Sequence, residues 1–200
     1  ENEGVVHLYT STPLADRCAA LSALVGAEAV LLAAQSGGDP FDEACSRPWL
    51  DLQARFDSPI PLACCAVTVE LRGEADVGHA LASADADALL GAMILLGAID
   101  APAPVLPPAR CQATLLADVE VLAAPISGIL VLHYAPGDRI AAGDLVAEVI
   151  DPASGAVAAL KARHRGLLFA QESARFVAAG RSVAKIAGNE AGRTGPLLGA

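Results

Sequence analysis

Glu70 is the first residue in this sequence whose position suggests chemistry, because it ends a run of apolar and β-branched residues. The run, from Cys64 to Gly73, is too short for a helix of its own. Such a run predicts a buried central strand that carries one carboxylate to the edge of a sheet. Ligands of open α/β sheets gather at the carboxyl ends of strands, so proton transfer by Glu70 is one interpretation. The other is a strand-end glutamate in solvent or in an ion pair.

Other polar residues give weaker signals. Arg72 follows Glu70 closely and could bind an anion, and the alternation of side chains along a strand would put both residues on one face. The histidines are scattered without i, i+4 pairing, so a zinc site built from them alone is not expected; they are His7, His79, His133 and His164. No G-x-S-x-G elbow and no cysteine in an evident histidine-paired context indicate a serine or cysteine nucleophile.

Composition limits the function classes. The chain has 200 residues, 54% hydrophobic and 18% charged, which is enough apolar material for well-packed cores. Its formal net charge of -10 argues against a nucleic-acid partner. No apolar run is long enough to span a bilayer, so no membrane partner is expected. The five cysteines have no C-x-x-C spacing, which predicts free, mostly buried thiols in a reducing compartment, and hence a cytoplasmic protein.

The first part of the chain, residues 1–98, alternates strands with helices and therefore predicts a largely parallel sheet. Gly26 is suited to end the first helix, and Gln35–Pro40 is predicted to be a flexible loop. The predicted strands are Val5–Thr10, Ala29–Ala33 and the Glu70 run. The predicted helices are Pro13–Val25, a short one after Asp39-Pro40, one from Ser46 to about Phe56, and a long amphipathic one over Asp76–Leu96.

A proline-rich segment, residues 99–111, predicts an extended linker and a domain boundary. Residues 112–188 beyond it contain a repeat in which Gly128 corresponds to Gly166 and Gly143 to Gly180. Neither copy could bury its apolar face alone, so we expect two interlocked halves that close a small β-barrel. The polar, glycine-rich tail, residues 189–200, is predicted to be loose.

The paired glycine pattern resembles the barrel-sandwich hybrid of biotinyl and lipoyl carrier domains. Those carriers place a modified lysine, flanked by methionines, at a hairpin tip. Here the corresponding hairpin is Asp151-Pro152-Ala153-Ser154-Gly155, and the single methionine is Met93. The shape is therefore expected without the swinging-arm chemistry.

Three segments in order resemble the succinylglutamate desuccinylase/aspartoacylase family: Glu1–Thr10, Val67–Gly73 and the glycine-patterned region up to about Gly188. The resemblance implies an α/β chain, in which part of a carboxypeptidase-like α/β/α sheet precedes a small all-β barrel-sandwich hybrid domain. It also implies zinc, held in that family by a His-x-x-Glu pair and by the His of an Asp-Leu-His tripeptide. None of these ligands is in this sequence, and we expect the tripeptide just before Glu1, with one further residue between them. The chain then corresponds to the C-terminal portion of such an enzyme, lacks zinc ligands and is inactive alone.

By the same resemblance Glu70 matches the general base of an amidohydrolase that cleaves an N-acyl amino acid or similar small acid. Arg175, and with it Arg72, could bind the substrate carboxylate; a plain surface arginine is the alternative for Arg175. His7 lies close to where the metal would be, either as a ligand or, as we prefer, as a neighbour of the ligands or a core histidine. A non-catalytic binding or assembly module, in which the barrel domain gates a cleft or packs on a partner, is the alternative function, and a homo-oligomer is left open.

Overall fold

A computed structural model describes residues 2–34, 36–37 and 40–190, and of Asn2 the backbone alone. This part of the chain contains the helices α1 (Ala15–Leu24), α2 (Phe41–Phe56) and α3 (His79–Leu95). Its strands are β1 (Asn2–Gly4), β2 (Val6–Ser11), β3 (Ala29–Ala33), β4 (Thr68–Leu71), β5 (Ala113–Leu115), β6 (Val119–Ala123), β7 (Gly128–Leu132), β8 (Arg139–Ile140), β9 (Leu145–Ile150), β10 (Val157–Lys161), β11 (Gly166–Glu172), β12 (Phe176–Val177) and β13 (Ser182–Ala187).

The smaller sheet has the strand order β4-β2-β3-β5. Strands β2, β3 and β5 are parallel, as the alternation of strands and helices predicts, whereas β4 runs antiparallel to β2. The predicted strand Ala29–Ala33 is confirmed, and its five apolar residues suit a strand covered on both faces. Gly26 follows α1 with φ +67°, a conformation that favours glycine, so the predicted helix end is also confirmed.

The strand that carries Glu70 differs from its prediction. It is short, lies at the edge of the sheet instead of its centre, and leaves both Glu70 and Leu71 exposed. The cysteines before it are partly buried and contact helices: the Cys65 thiol lies against that of Cys18 in α1, and the Cys64 thiol donates to the Cys45 carbonyl of α2. The run is therefore apolar because it packs between helices, not because it forms a central strand.

Two helix predictions need correction. The two helices expected after Pro40 are one continuous helix, α2, with Pro48 inside it. Ser46 does not cap a helix there, since its hydroxyl donates to the Asp42 carbonyl 2.9 Å away. The third helix, α3, buries only Gly91 and is not amphipathic. Its exposed apolar side chains are Leu81, Leu89, Leu90, Met93 and Leu95, followed by Leu96.

Strands β6 to β13, called here the β region, form two facing sheets together with β1. One has the order β1-β11-β13-β6 with β8 beside β11, and the other has the order β10-β9-β7-β12. The two glycine-patterned copies interlock as expected, because β8 pairs with β11 and β12 with β7. Among the described residues no ladder joins the two sheets, so the closed barrel is wrong. Both sheets instead enclose one core, which includes the fully buried Val146, Val149, Leu168, Val183 and Ile186.

The first strand, β1, is not predicted from the sequence, and it pairs antiparallel with β11 of the β region. A Cβ atom on Gly4 would lie 2.6 Å from the Phe169 carbonyl oxygen, so the close approach of the two backbones requires glycine. One continuous segment, residues 2–11, therefore contributes β1 to the β region and β2 to the smaller sheet. In the opposite direction, β5 follows the proline-rich segment and pairs with β3 in the smaller sheet.

Within the described residues, none of the helices combines the length and hydropathy needed to cross a bilayer. The predicted loop at Gln35–Pro40 lies partly outside the described residues, and the predicted loose tail from residue 189 lies mostly outside them.

Candidate functional site

His7 of β2 and Glu70 of β4 are directly opposite each other in the smaller sheet. Opposite residues of an antiparallel pair project from the same face, with Cβ atoms about 5 Å apart. This face is turned toward the β region, because the His7 ring centroid lies 4.9 Å from that of Phe169 in β11. Since β4 is antiparallel, Glu70 lies at the amino end of the parallel strands, not at their carboxyl ends as predicted.

His7 is held in one orientation. It is buried, its Nδ1 donates to the Val5 carbonyl 2.8 Å away, and its ring packs edge-on against Phe169 and Tyr9. Burial lowers the pKa of His7, and the hydrogen bond to Val5 and the charge of Glu70 only partly oppose this effect. The ring is therefore neutral near pH 7 and, with its proton on Nδ1, presents the Nε2 lone pair. The Nε2 atom of His7 can therefore accept a hydrogen bond or bind a cation, and the Glu70 carboxylate projects from the same face.

The segment that follows Glu70 lies against the first strand. A Cβ atom on Gly73 would be 3.3 Å from the Glu3 Cα, and the Gly73 N–H donates to Asp76 at 2.9 Å. A cavity of about 310 Å³ opens here, lined by Glu3, Gly4, Ala75, Asp76 and Pro136. Glu70 is exposed on the strand that leads to this cavity, but it does not line the cavity.

The two candidate arginines lie on different parts of the molecule. The guanidinium of Arg72 donates to Asp85 of α3, and the residue lies past the end of β4 with φ 75°. Because it has left the strand, the alternation that placed it on the face of Glu70 does not apply. Arg175 is exposed in the turn between β11 and β12, where its carbonyl accepts the Leu130 N–H at 2.8 Å.

Comparison with solved structures identifies the architecture. The chain matches a protein of the succinylglutamate desuccinylase/aspartoacylase group from Shewanella frigidimarina at a TM-score of 0.76 and 20% identity, over 94% of this chain and 51% of that one. A second, from Shewanella amazonensis, matches at 0.76 and 19%, over 92% and 51%. The ectoine utilization protein EutE (DoeB) from Ruegeria pomeroyi matches at 0.68 and 14%, over 94% and 56%. The chain has the succinylglutamate desuccinylase/aspartoacylase fold.

The resemblance predicted from the sequence is thus confirmed for the fold. The chain spans about half the length of these solved structures. No protein-family profile matches the sequence, and no curated protein matches it.

The described residues do not form a complete zinc site, although the desuccinylase/aspartoacylase resemblance implies zinc. Nowhere do three or more histidine, cysteine, aspartate or glutamate side chains come together there in a way that could hold a metal. His133 and His164 are instead paired with Glu148 and Glu190, at 2.8 and 2.9 Å. His7 with Glu70 supplies two groups at most.

Sequence reasoning missed a buried acid on the same face as Glu70. Thr68, two residues before Glu70, donates to the Asp42 carboxylate at 3.2 Å, and Asp42 is 3% exposed at the start of α2. Burial raises the pKa of Asp42, although hydrogen bonds, including that from Thr68, oppose the shift. The charge of the neighbouring Glu43 raises this pKa further, and a buried carboxyl with a raised pKa is a common feature of functional sites. The only local signal is the acidic pair after Pro40, which is equally typical of a helix start.

Proposed function

We propose that this chain forms part of a deacylase that hydrolyses the amide bond of an N-acyl amino acid or similar small acid, with Glu70 as the general base. The observation that carries the proposal is the His7–Glu70 pair on the face of the smaller sheet that meets the β region. Fold likeness alone does not define chemistry, so this pair, more than the fold, connects the chain to proton transfer.

Amide hydrolysis requires one group that can both accept and return a proton. The oxygen of a water molecule attacks the carbonyl carbon and gives up a proton, the C–N bond breaks, and the leaving nitrogen must be protonated. A carboxylate can take the proton from water and deliver it to the nitrogen. Glu70 is exposed at its strand, which leaves it open to water and substrate. His7 does not compete as a proton donor, because its one N–H is committed to Val5.

The substrate's own carboxylate needs a cationic partner, for which Arg175 and Arg72 are the candidates. Arg175 is the better one, because its side chain is exposed and makes no ion pair with the residues the structure describes. Arg72 is already held by Asp85. A guanidinium is suited to this role because its planar fork binds a carboxylate through two hydrogen bonds.

The metal of the proposed enzyme is also a proposal. Zinc, when bound, would activate the attacking water, and it would need ligands from polypeptide outside the described residues. We therefore expect the 200-residue chain alone to bind zinc weakly and to hydrolyse nothing. Tight, stoichiometric zinc in this purified chain would contradict this part of the proposal.

The direct test is Glu70→Gln in the full-length protein, assayed for hydrolysis of N-acyl amino acids. Loss of the proton carrier is expected to lower kcat by about a hundredfold or more, with a small change in KM. Glu74→Gln, an exposed position in the segment after β4, is the matched control and is expected to keep its activity. Near-wild-type turnover of the Glu70 variant would remove the mechanism.

The second candidate, a non-catalytic assembly module, is favoured by the exposed apolar side chains of α3. Monomeric proteins rarely expose large contiguous apolar patches, so a second copy of this chain could cover this helix. Sedimentation velocity tests this candidate: the assembly module predicts a dimer that Leu90→Glu converts to monomer, Leu90 being 48% exposed. A wild-type chain that sediments as a monomer at every concentration would remove this second candidate.

A further inference from the structure

A cleft of about 790 Å³ lies where the smaller sheet meets the β region. Its walls come from the amino end of β3, the segment before β5, strand β8, the start of β11 and the end of β13. Cavities of roughly 300–1,000 Å³ are typical of small-molecule sites. The cleft does not include Glu70, which lies on β4 at the opposite edge of the smaller sheet. A ligand in this cleft would therefore contact both the smaller sheet and the β region, and it would not occupy the proposed deacylase site.

Three arginines from separate parts of the chain converge on this cleft: Arg110, Arg139 and Arg165. Among the described residues that line the cleft, Glu28 is the single carboxylate, with an oxygen 3.7 Å from Arg110. Arg139 is opposite Leu167 in the β8–β11 ladder, and Arg165 precedes β11, so these two arginines are diagonal neighbours on one face. Neither forms an ion pair with the residues the structure describes.

This concentration of positive charge is unusual for the chain as a whole. The net charge is -10, yet the described residues of the cleft lining include three cations and one anion. Neighbouring like charges repel each other, and the repulsion is removed when an anion lies between them. Guanidinium groups bind carboxylates and phosphates through paired, charge-assisted hydrogen bonds. The amide side chain of Gln112, also in the lining, adds a neutral hydrogen-bonding group.

We propose that this cleft binds a small organic anion with two or more carboxylate or phosphate groups, held by Arg110, Arg139 and Arg165. One anionic group satisfies the diagonal pair Arg139 and Arg165, and the second reaches Arg110 across the cleft. A bound polyanion thereby links the β region to the segment before β5. A single carboxylate would leave at least one arginine without a partner, so monovalent acids bind more weakly.

The test is isothermal titration calorimetry on the 200-residue chain with citrate and with pyrophosphate, at constant ionic strength. Saturable binding at one site is expected for at least one probe, with acetate much weaker. Citrate binding alone identifies a carboxylate ligand, and pyrophosphate binding alone a phosphate ligand. Absence of saturable binding by both probes overturns the proposal.

Variants locate the site. Arg139→Gln and Arg165→Gln are each expected to weaken binding by about tenfold or more. Arg17→Gln, an exposed arginine on α1, is the matched control and is expected to bind normally. Equal weakening in all three would indicate a general effect of net charge and contradict the site.

Two further measurements keep the test independent of folding defects in the arginine variants. Glu28→Gln removes a competing carboxylate from the cleft at a partly exposed position, so tighter binding is expected, and weaker or unchanged binding counts against the proposal. Cys111 lies in the wall of the cleft, and its thiol is expected to be alkylated more slowly when the anion is bound. Cys45, on α2, is expected to keep its rate, and equal rates at Cys111 with and without the anion would place the ligand elsewhere.

Discussion

The β region and the smaller sheet with its helices bury apolar residues to very different extents. In the β region, side chains from two facing sheets fill one core, and Leu168, Val146 and Val183 are all 0% exposed. On the helical side of the smaller sheet, Leu8 is fully buried, but α3 leaves its apolar residues in solvent. Hydrophobic content alone therefore does not locate a core, because α3 is among the most apolar segments of this chain.

The largest expected effect compares Leu168→Ala with Leu90→Ala. Removing the fully buried Leu168 side chain should lower the free energy of unfolding by about 2–5 kcal/mol, since it leaves a cavity between two sheets. Leu90 is 48% exposed, and its truncation should change stability by less than about 0.5 kcal/mol. Urea unfolding of the two variants measures both values. Similar losses would mean that α3 packs on something in solution.

How much could be predicted from the sequence depends on how local each signal is. The sequence predicts strand β3 to the residue and α1 to within two residues. Both signals are local, because the apolar run itself defines β3 and a glycine marks the end of α1. The edge position of β4 is not predicted, because a segment whose cysteines contact two helices has the same apolar pattern as a central strand.

The shortest strands could not be predicted for a related reason. Strands β1 and β5 have three residues each, and their partners, β11 and β3, are far away in sequence. Three residues cannot show a period, so only pairing in the folded state defines them. Of the candidate site, Glu70 and His7 were named from the sequence, but their direct pairing was not, since register depends on the same distant contacts.

The second prediction concerns how the stability contributed by two buried carboxyl groups, Glu172 and Asp42, depends on pH. Burial alone would raise the pKa of Glu172, but hydrogen bonds from the Ala174 N–H and from Arg181 lower it below the ordinary value of 4.5. Glu172 thus stabilises the fold above pH 4.5, and the contribution is lost as the pH falls through the lowered pKa. Glu172→Gln is expected to cost about 2 kcal/mol at pH 7 and progressively less in acid. Unfolding at pH 7, 5 and 3 measures this, with Glu148→Gln, at a more exposed pair, as the control. A penalty that does not change with pH would mean that the residue acts through packing.

Asp42, which is buried at the start of α2 beside the smaller sheet, is expected to have the opposite effect on the pH dependence of stability. Burial raises its pKa above 3.8, so at pH 7 the folded state must hold an ionised carboxylate where the neutral form is preferred. Asp42→Asn is therefore expected to stabilise the protein at pH 7, because the amide removes the cost of burying a charge. The gain should vanish below pH 3.8, where Asp42 is protonated in both states. Thermal unfolding across this range measures the sign, and destabilisation at neutral pH would contradict the account.

The smallest effect is expected at the contact between Arg72, just past the end of β4, and Asp85 of α3. The side chains of Arg72 and Asp85 are 17% and 22% exposed, and partly exposed ion pairs contribute less than about 1 kcal/mol. Asp85→Asn should therefore lower stability only slightly, and Asp87→Asn, on the same helix, should have no measurable effect. A loss well above 1 kcal/mol in the Asp85 variant would show that α3 is attached more firmly than its exposure indicates.

Residues 2–11 contribute β1 to the β region and β2 to the smaller sheet. The proline-rich segment, residues 99–111, is therefore not the only connection between the smaller sheet and the β region. Cutting the backbone within residues 101–110 would leave fragments that stay clamped through the β1–β11 ladder. Such a nicked protein should migrate as one particle on gel filtration and come apart only in denaturant, which makes the segment a natural place to open the chain for circular permutation.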